Sequence, residues 1–205
     1  SKQIVMMISK VMLAKIFEKG MPGSKNDESK FKKPPKGWKA SEKFDGYRAL
    51  FYYDENGRGV FVSRTGKEFF APDWFLEAMP QLKLLKGLIL DGELWAGRER
   101  FEKMGTVRKK EPVPEEWAEI QFVVYDITNS DKVFRDRIKD LKRIVRISTE
   151  RWELMKNGEY YTIEYPYNNL PCPIVFTPQI TITSNKQMEE YYQSIIDGGG
   201  EGIMI

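Results

Sequence analysis

The stretch Ser41–Arg48, SEKFDGYR, places a lysine, an aspartate, a glycine and an arginine in one short run, with an amphiphilic segment on its C-terminal side. A lysine flanked by Glu42 and Asp45 ordinarily reads as a solvated surface charge. Three further segments argue for more than that at Lys43. They are SRTG at Ser63–Gly66, LDGELW at Leu90–Trp95 and GGGEGIMI at Gly198–Ile205. Each joins an apolar, strand-like run to a glycine and a charged side chain.

Working outward, the N-terminal IVMMISKVMLAKIF has helical spacing over Ile4–Phe17, and Gly20–Lys36 is a loop rich in Lys, Pro, Gly and Ser. Trp38–Lys43 and Tyr47–Tyr53 are expected as strands, with DENGRG at Asp54–Gly59 turning a hairpin into Val60–Arg64. Lys43 then sits near a strand end. Pro72–Met79 predicts a short helix, Gly87–Trp95 a largely buried strand ending in the acid Glu93, and Phe101–Arg108 a helical segment. Ile120–Thr128 is another buried strand, and Phe134–Met155 one or two amphipathic helices. Glu159–Pro171 is a connection, Ile174–Ile182 a strand, Asn185–Ile196 a helix closed by glycines, and Gly202–Ile205 the start of a strand. Strands and helices mix without a regular β-α-β repeat. The expectation is an α+β fold with antiparallel or mixed sheets flanked by helices.

Composition narrows the chemistry. The 205 residues, 41% hydrophobic and 13% aromatic, can build a substantial core. One cysteine, Cys172, excludes an intramolecular disulfide, and the absence of histidine excludes a Cys/His zinc site and an imidazole base. Lysine, carboxylates and bound metal are what remain. Lys10 and Lys15 interrupt the N-terminal apolar run, so no segment approaches the roughly 20 residues of a bilayer span. The net charge of +3 conceals an asymmetry: through Arg48 there are 12 Lys/Arg against 5 Asp/Glu, and thereafter 21 against 25. A basic portion beside Lys43 suits a polyanion, either a triphosphate or a nucleic-acid backbone.

K-x-D-G-x-R, S-R-x-G, D-G-E and E-G-I-M, in this order, resemble the successive motifs of the covalent nucleotidyltransferases: ATP-dependent DNA ligases, RNA ligases and mRNA capping enzymes. The fuller runs SEKFDGYRAL, SRTGKEFFAPDWF and LDGELWAGRERFEKMGTVRK are most similar to the minimal ATP-dependent ligases of bacteria and their viral relatives, and the likeness extends from about Met12 to Ile205. The resemblance implies an adenylation domain that takes ATP, with Mg2+ or Mn2+, and forms a covalent lysyl-AMP at Lys43 on the way to sealing nicked double-stranded DNA. It implies an intracellular monomer with no obligate protein partner. A lysine nucleophile must first lose its proton, and the leaving pyrophosphate calls for cations.

Carried over residue by residue, the resemblance gives Arg48 the nucleotide sugar and later the nick, and Arg64 a phosphate. Glu93 takes the ribose hydroxyl, Glu201 the metal, and Ser41 offers backbone groups to the adenine edge. Arg48, Arg64 and Asp45 are DNA-binding candidates. Tyr125, in VVYDI, reads either as the aromatic stacked on adenine or as a core residue. In the family a motif with two lysines and an OB-fold domain follow E-G-I-M, and both are expected beyond residue 205. An RNA ligase, a capping-type guanylyltransferase and a non-catalytic nucleic-acid-binding domain are the alternative readings.

Overall fold

A computed structural model of the protein describes residues 37–158, 163–164 and 166–204. The segments read as a helix at Ile4–Phe17 and a loop at Gly20–Lys36 lie outside the described residues, as does part of the connection Glu159–Pro171. The chain divides into two compact units, one formed by Gly46–Phe176 and the other by residues 37–45 with residues 177–204.

The larger unit is built on a six-stranded sheet. Its strands are β2 (Tyr47–Tyr53), β3 (Gly59–Val62), β4 (Glu68–Phe69), β5 (Leu90–Trp95), β6 (Gln121–Ile127) and β7 (Ile174–Phe176), in the order β4-β3-β2-β5-β6-β7. All pairs are antiparallel except β6–β7, which is parallel and joined through a helix. The β2–β3 hairpin closes as expected, because the Asp54 carboxylate accepts the backbone N–H groups of Asn56 and Arg58, each at 2.9 Å. Those two bonds to the charged form hold the Asp54 carboxyl below its ordinary range, the Arg58 N–H acting most. Gly57, at φ 74°, supplies the left-handed residue that the turn needs.

One face of this sheet carries the main core. Phe51, Phe61, Leu90, Leu94, Phe122 and Val124 point into it. The long helix α3 (Phe134–Lys156) covers it with Ile138, Leu141, Ile144 and Trp152, following shorter helices α1 (Asp73–Ala78) and α2 (Leu82–Leu85). Pro72 is the N-cap of α1, as its position predicts, while Phe101–Arg108 forms 3-10 turns rather than an α-helix. The opposite face holds the small cluster Leu50, Val60, Val62 and Ile89.

The β5–β6 ladder departs from simple alternation. Asp91 stands opposite Asp126 and Gly92 opposite Val124, so Tyr125 is an extra residue on β6. This β-bulge explains the spacing of the core residues. Phe122 and Val124 are two apart, whereas the next core residue, Ile127, follows after three. Gly92 faces the bulge with no room for a side chain, since a Cβ there would lie 2.5 Å from Val123 O and 2.8 Å from Phe122 Cε1.

The smaller unit is a three-stranded antiparallel sheet in the order β8-β1-β9, with β1 (Lys39–Glu42), β8 (Gln179–Thr181) and β9 (Ile203–Met204). Helix α4 (Asn185–Asp197) packs on it through Met188, beside Ala40 and Ile182. Its start is encoded as S-x-x-Q: Ser184 Oγ accepts the Gln187 N–H at 3.1 Å, and Gln187 Oε1 accepts the Thr183 N–H at 2.7 Å. The strand read across Ile174–Ile182 is corrected here. It is two strands in two different sheets, broken at Thr177–Pro178, where a proline has no N–H for a ladder.

Gly92→Ala should destabilise the protein by about 1–3 kcal/mol, the usual range for overpacking, measured by urea unfolding. Gly105→Ala, where a Cβ meets nothing within 4 Å, is the matched control and should leave the midpoint near that of the parent.

Candidate active site

In the smaller unit, two of the four motifs meet. Lys43 directly follows β1, and its N–H donates to Gly202 O at 2.8 Å, which extends the β1–β9 pairing by one residue. The Gly198–Gly200 run brings α4 to an end and returns the chain sharply. Gly199 sits at φ 85°, and a Cβ at Gly200 would collide with the Ile195 side chain and lie 3.0 Å from Glu42 Oε1. The next residue, Glu201, thereby lies with Oε1 3.3 Å from Lys43 Nζ. Both side chains are open, 54% and 44% exposed, so the pair is worth at most about 1 kcal/mol. Ser41 is buried in the central strand between Gln179 and Met204, and Asp45 is exposed.

Hard carboxylate oxygens such as those of Glu201 suit Mg2+ or Mn2+. Among the described residues no three His, Cys, Asp or Glu side chains converge on one point. A cation on Glu201 would therefore complete its shell with phosphate oxygens and water, as Mg2+ commonly does.

In the larger unit, a second group of charged residues lies on the sheet face opposite the main core. Arg48 on β2 stands opposite Glu93 on β5. Its guanidinium reaches diagonally to Asp91, Nε to Oδ1 at 3.1 Å and a terminal nitrogen to Oδ2 at 2.6 Å. This is a two-pronged, charge-assisted contact. Burial works against the charge on Arg48, but the hydrogen bond and charge of Asp91 overcome it and raise its pKa above the ordinary value. Asp91 is the more deeply buried partner, and burial raises its carboxyl above the usual range despite Arg48.

Tyr125 joins this group because the bulge turns it there. Its hydroxyl donates to Gly92 O at 3.2 Å, and the Arg48 guanidinium carbon lies 5.9 Å from its ring centroid. Burial, then the charges of Asp91 and Glu93, raise the phenol well above its ordinary pKa, so it stays neutral. Glu93 lies inside β5 rather than at its end, which corrects the expectation. The same packing explains Gly46: a Cβ there would collide with Leu94 O and approach Glu93 Cγ to 3.1 Å. Arg64 is exposed in the Ser63–Gly66 turn, which Ser63 ties with its own carbonyl and hydroxyl.

The model of the ATP dependent DNA ligase domain family matches residues 12–205. The chain belongs to that family. It is 28% identical over 109 residues to a DNA ligase of Haemophilus influenzae, a match covering 53% of this chain and 36% of that protein. Among solved structures, a Lig E DNA ligase superposes with a TM-score of 0.62 at 23% identity, over 91% of this chain and 61% of the other. Chlorella virus DNA ligase-adenylate gives 0.52 at 16% identity, over 82% and 53%. At these identities the solved structures show the fold, which is that of ligase adenylation domains. This ligase-family chain spans about a third of its Haemophilus relative and about three fifths of the Lig E chain.

The sequence reading of this ligase domain missed Asp91. The signal was present in D-G-E, since Asp91 and Glu93 are two residues apart on one strand and so share a face. It also missed the bidentate pair between Asp126 and Arg137, at 2.8 and 3.1 Å, which ties β6 to α3 one residue beyond Tyr125.

Arg48→Ala should destabilise the ligase domain by about 3 kcal/mol or more, because it strands a carboxylate that is only 5% exposed. The raised carboxyl means that the folded state holds a proton at pH values where the unfolded chain has released it. Stability from this group is present below the ordinary carboxylate pKa and is lost as pH rises through the folded value. The deficit of Arg48→Ala should therefore shrink as pH is lowered from neutral toward that range, in urea unfolding at a series of pH values.

Proposed function

We propose that the chain is the nucleotidyl-transfer portion of an ATP-dependent DNA ligase, with Lys43 as its nucleophile. The observation that carries this reading is Lys43 itself, exposed directly after a strand and within 3.3 Å of a carboxylate from the E-G-I-M segment, in a chain of the DNA ligase domain family. In the proposed step the neutral amine of Lys43 attacks the α-phosphorus of ATP. An N–P bond forms, the P–O bond to pyrophosphate breaks, and the amine proton passes to solvent. The adenylate then passes to the 5′-phosphate at a nick in double-stranded DNA, and sealing releases AMP. A divalent cation held by Glu201 supplies charge neutralisation to the phosphates when bound.

The remaining roles are proposed for individual residues. Tyr125 stacks on the adenine, a task for which a neutral, half-buried ring is suited. Glu93 accepts from the ribose hydroxyls, and Ser41 offers backbone groups to the base edge. Arg48, held by Asp91, donates to the nucleotide sugar and then at the nick, and its fixed guanidinium loses little freedom in doing so. Arg64 and Asp45, both exposed, face the DNA.

Incubation with ATP labelled at the α-phosphate should yield an acid-labile protein adduct. Lys43→Ala should abolish it without a change in unfolding midpoint, and Lys43→Arg should abolish it too, because arginine keeps its proton. An adduct of normal yield on Lys43→Ala would sink the assignment. Tyr125→Ala should weaken ATP use by about 1–3 kcal/mol, the scale of base–aromatic stacking. Tyr125→Phe should retain ATP use while losing up to about 1 kcal/mol of stability with its bond to Gly92. If Tyr125→Ala yields no folded protein, the residue is core and the stacking partner lies elsewhere.

A further inference from the structure

Tyr125 is the bulged residue of β6, and among the described residues it has no register partner on β5 or on β7. β7 ends opposite Val124, so β6 outruns it over Tyr125–Ile127. The ladder alone therefore does not fix where the Tyr125 ring lies. At its far end the ring is held by its hydroxyl, which donates to Gly92 O at 3.2 Å. The backbone end is tied through the next residue. Asp126 Oδ1 accepts the Ile127 N–H and Arg137 Nε, each at 2.8 Å, while Oδ2 accepts a terminal nitrogen of Arg137 at 3.1 Å. The other terminal nitrogen donates to Lys132 O at 3.0 Å, just before α3 begins. Both side chains of the pair are largely buried, at 15% and 17% exposure.

Stability alone is a poor account of this pair. Desolvation offsets most of the attraction in a buried ion pair, and a cation in the opening turn of a helix works against the dipole. Helix α3 is already anchored in the core by Ile138, Leu141, Ile144 and Trp152. What a two-pronged contact supplies is direction. Asp126 also stands opposite Asp91 across the ladder, where like charges repel. Arg137 neutralises Asp126 and so leaves Asp91 to Arg48. We propose that Arg137 is a positioning residue for nucleotide binding: acting through Asp126, it fixes the bulge and with it the plane in which the Tyr125 ring meets the adenine. The proposal rests on the stacking role given to Tyr125 above; the register and the hydrogen bonds stand without it. Arg137 itself need not touch the nucleotide.

The test titrates the full chain, by calorimetry, with an ATP analogue whose α- and β-phosphorus atoms are bridged by a methylene group, so that pyrophosphate cannot leave. Arg137→Gln should weaken binding by about threefold or more in the parent, but by less than about twofold in a Tyr125→Ala background, because residues that act through one another are not additive. Loss of folded protein lowers the stoichiometry of binding and leaves the affinity of the remainder unchanged, so affinity separates positioning from mere support. Arg137→Lys keeps the charge without the fork. It should retain the parent stoichiometry and still bind more weakly, and it serves if Arg137→Gln does not fold. Parent affinity in Arg137→Lys, or equal weakening by Arg137→Gln in both backgrounds, would overturn the proposal alone. A Tyr125→Ala chain that fails to fold, or that binds as the parent does, would sink the stacking role and the proposal with it, as would a parent that does not bind the analogue. A parent that binds the analogue yet forms no adduct from labelled ATP would count against the transfer reading only.

Discussion

The close approach of β5 and β6 at Gly92 is the constraint on which most of the larger unit depends. Because Gly92 has no Cβ, the backbone of Val123 and Val124 can lie against it, and the ladder absorbs one extra residue at Tyr125. That insertion changes the face on which every later residue of β6 emerges. Ile127 returns to the main core, Asp126 meets Arg137, and Tyr125 stands beside Arg48. Glycine in D-G-E is thus a packing requirement between two strands before it is anything chemical.

The same register sorts the sheet into two faces with different energetics. On the core face, large apolar side chains bury against α3, the dominant favourable term. The other face carries Arg48, Asp91 and Glu93 within a few residues of the apolar Leu50, Val62 and Ile89. A buried ion pair is a weak source of stability, because desolvating both charges offsets most of their attraction. What the pair does supply is a fixed direction for the guanidinium. Two prongs onto Asp91, at 3.1 and 2.6 Å, leave Arg48 little rotational freedom.

Much of this was legible in the sequence, for identifiable reasons. Tyr47–Tyr53 is an apolar, aromatic-rich run followed by D-x-N-G, and the observed strand has those bounds. The α+β class followed from mixed strand and helix signals, and the ligase resemblance lay in four glycine-bearing motifs, two of whose glycines, Gly46 and Gly92, prove to have no space for a side chain. Other features had no local signature. The bulge at Tyr125 depends on which strand lies opposite, which VVYDI alone does not encode. The break at Thr177–Pro178 was hidden by apolar residues on both sides, although Pro178 was the available warning. Asp91 was passed over because the resemblance gives a role in D-G-E to Glu93 alone, and only the partner on β2 marks Asp91 as one end of a buried pair.

The two ion pairs of the motifs differ in a way that matches the roles proposed for them. Arg48 and Asp91 are 20% and 5% exposed, so separating them leaves an uncompensated charge out of water and is strongly resisted. Lys43 and Glu201 are 54% and 44% exposed at 3.3 Å, and water replaces either partner at little cost. A group that orients a sugar through successive steps is best held still. A nucleophile has to give up its carboxylate neighbour, approach phosphorus and later carry an adenylate, and a strong buried pair would add its own dissociation energy to the barrier of the first step. The placement of Lys43 after the end of β1, with its backbone fixed by Gly202 and its side chain in solvent, separates those demands: the ladder sets where the chain is, and the weak pair leaves Nζ able to leave.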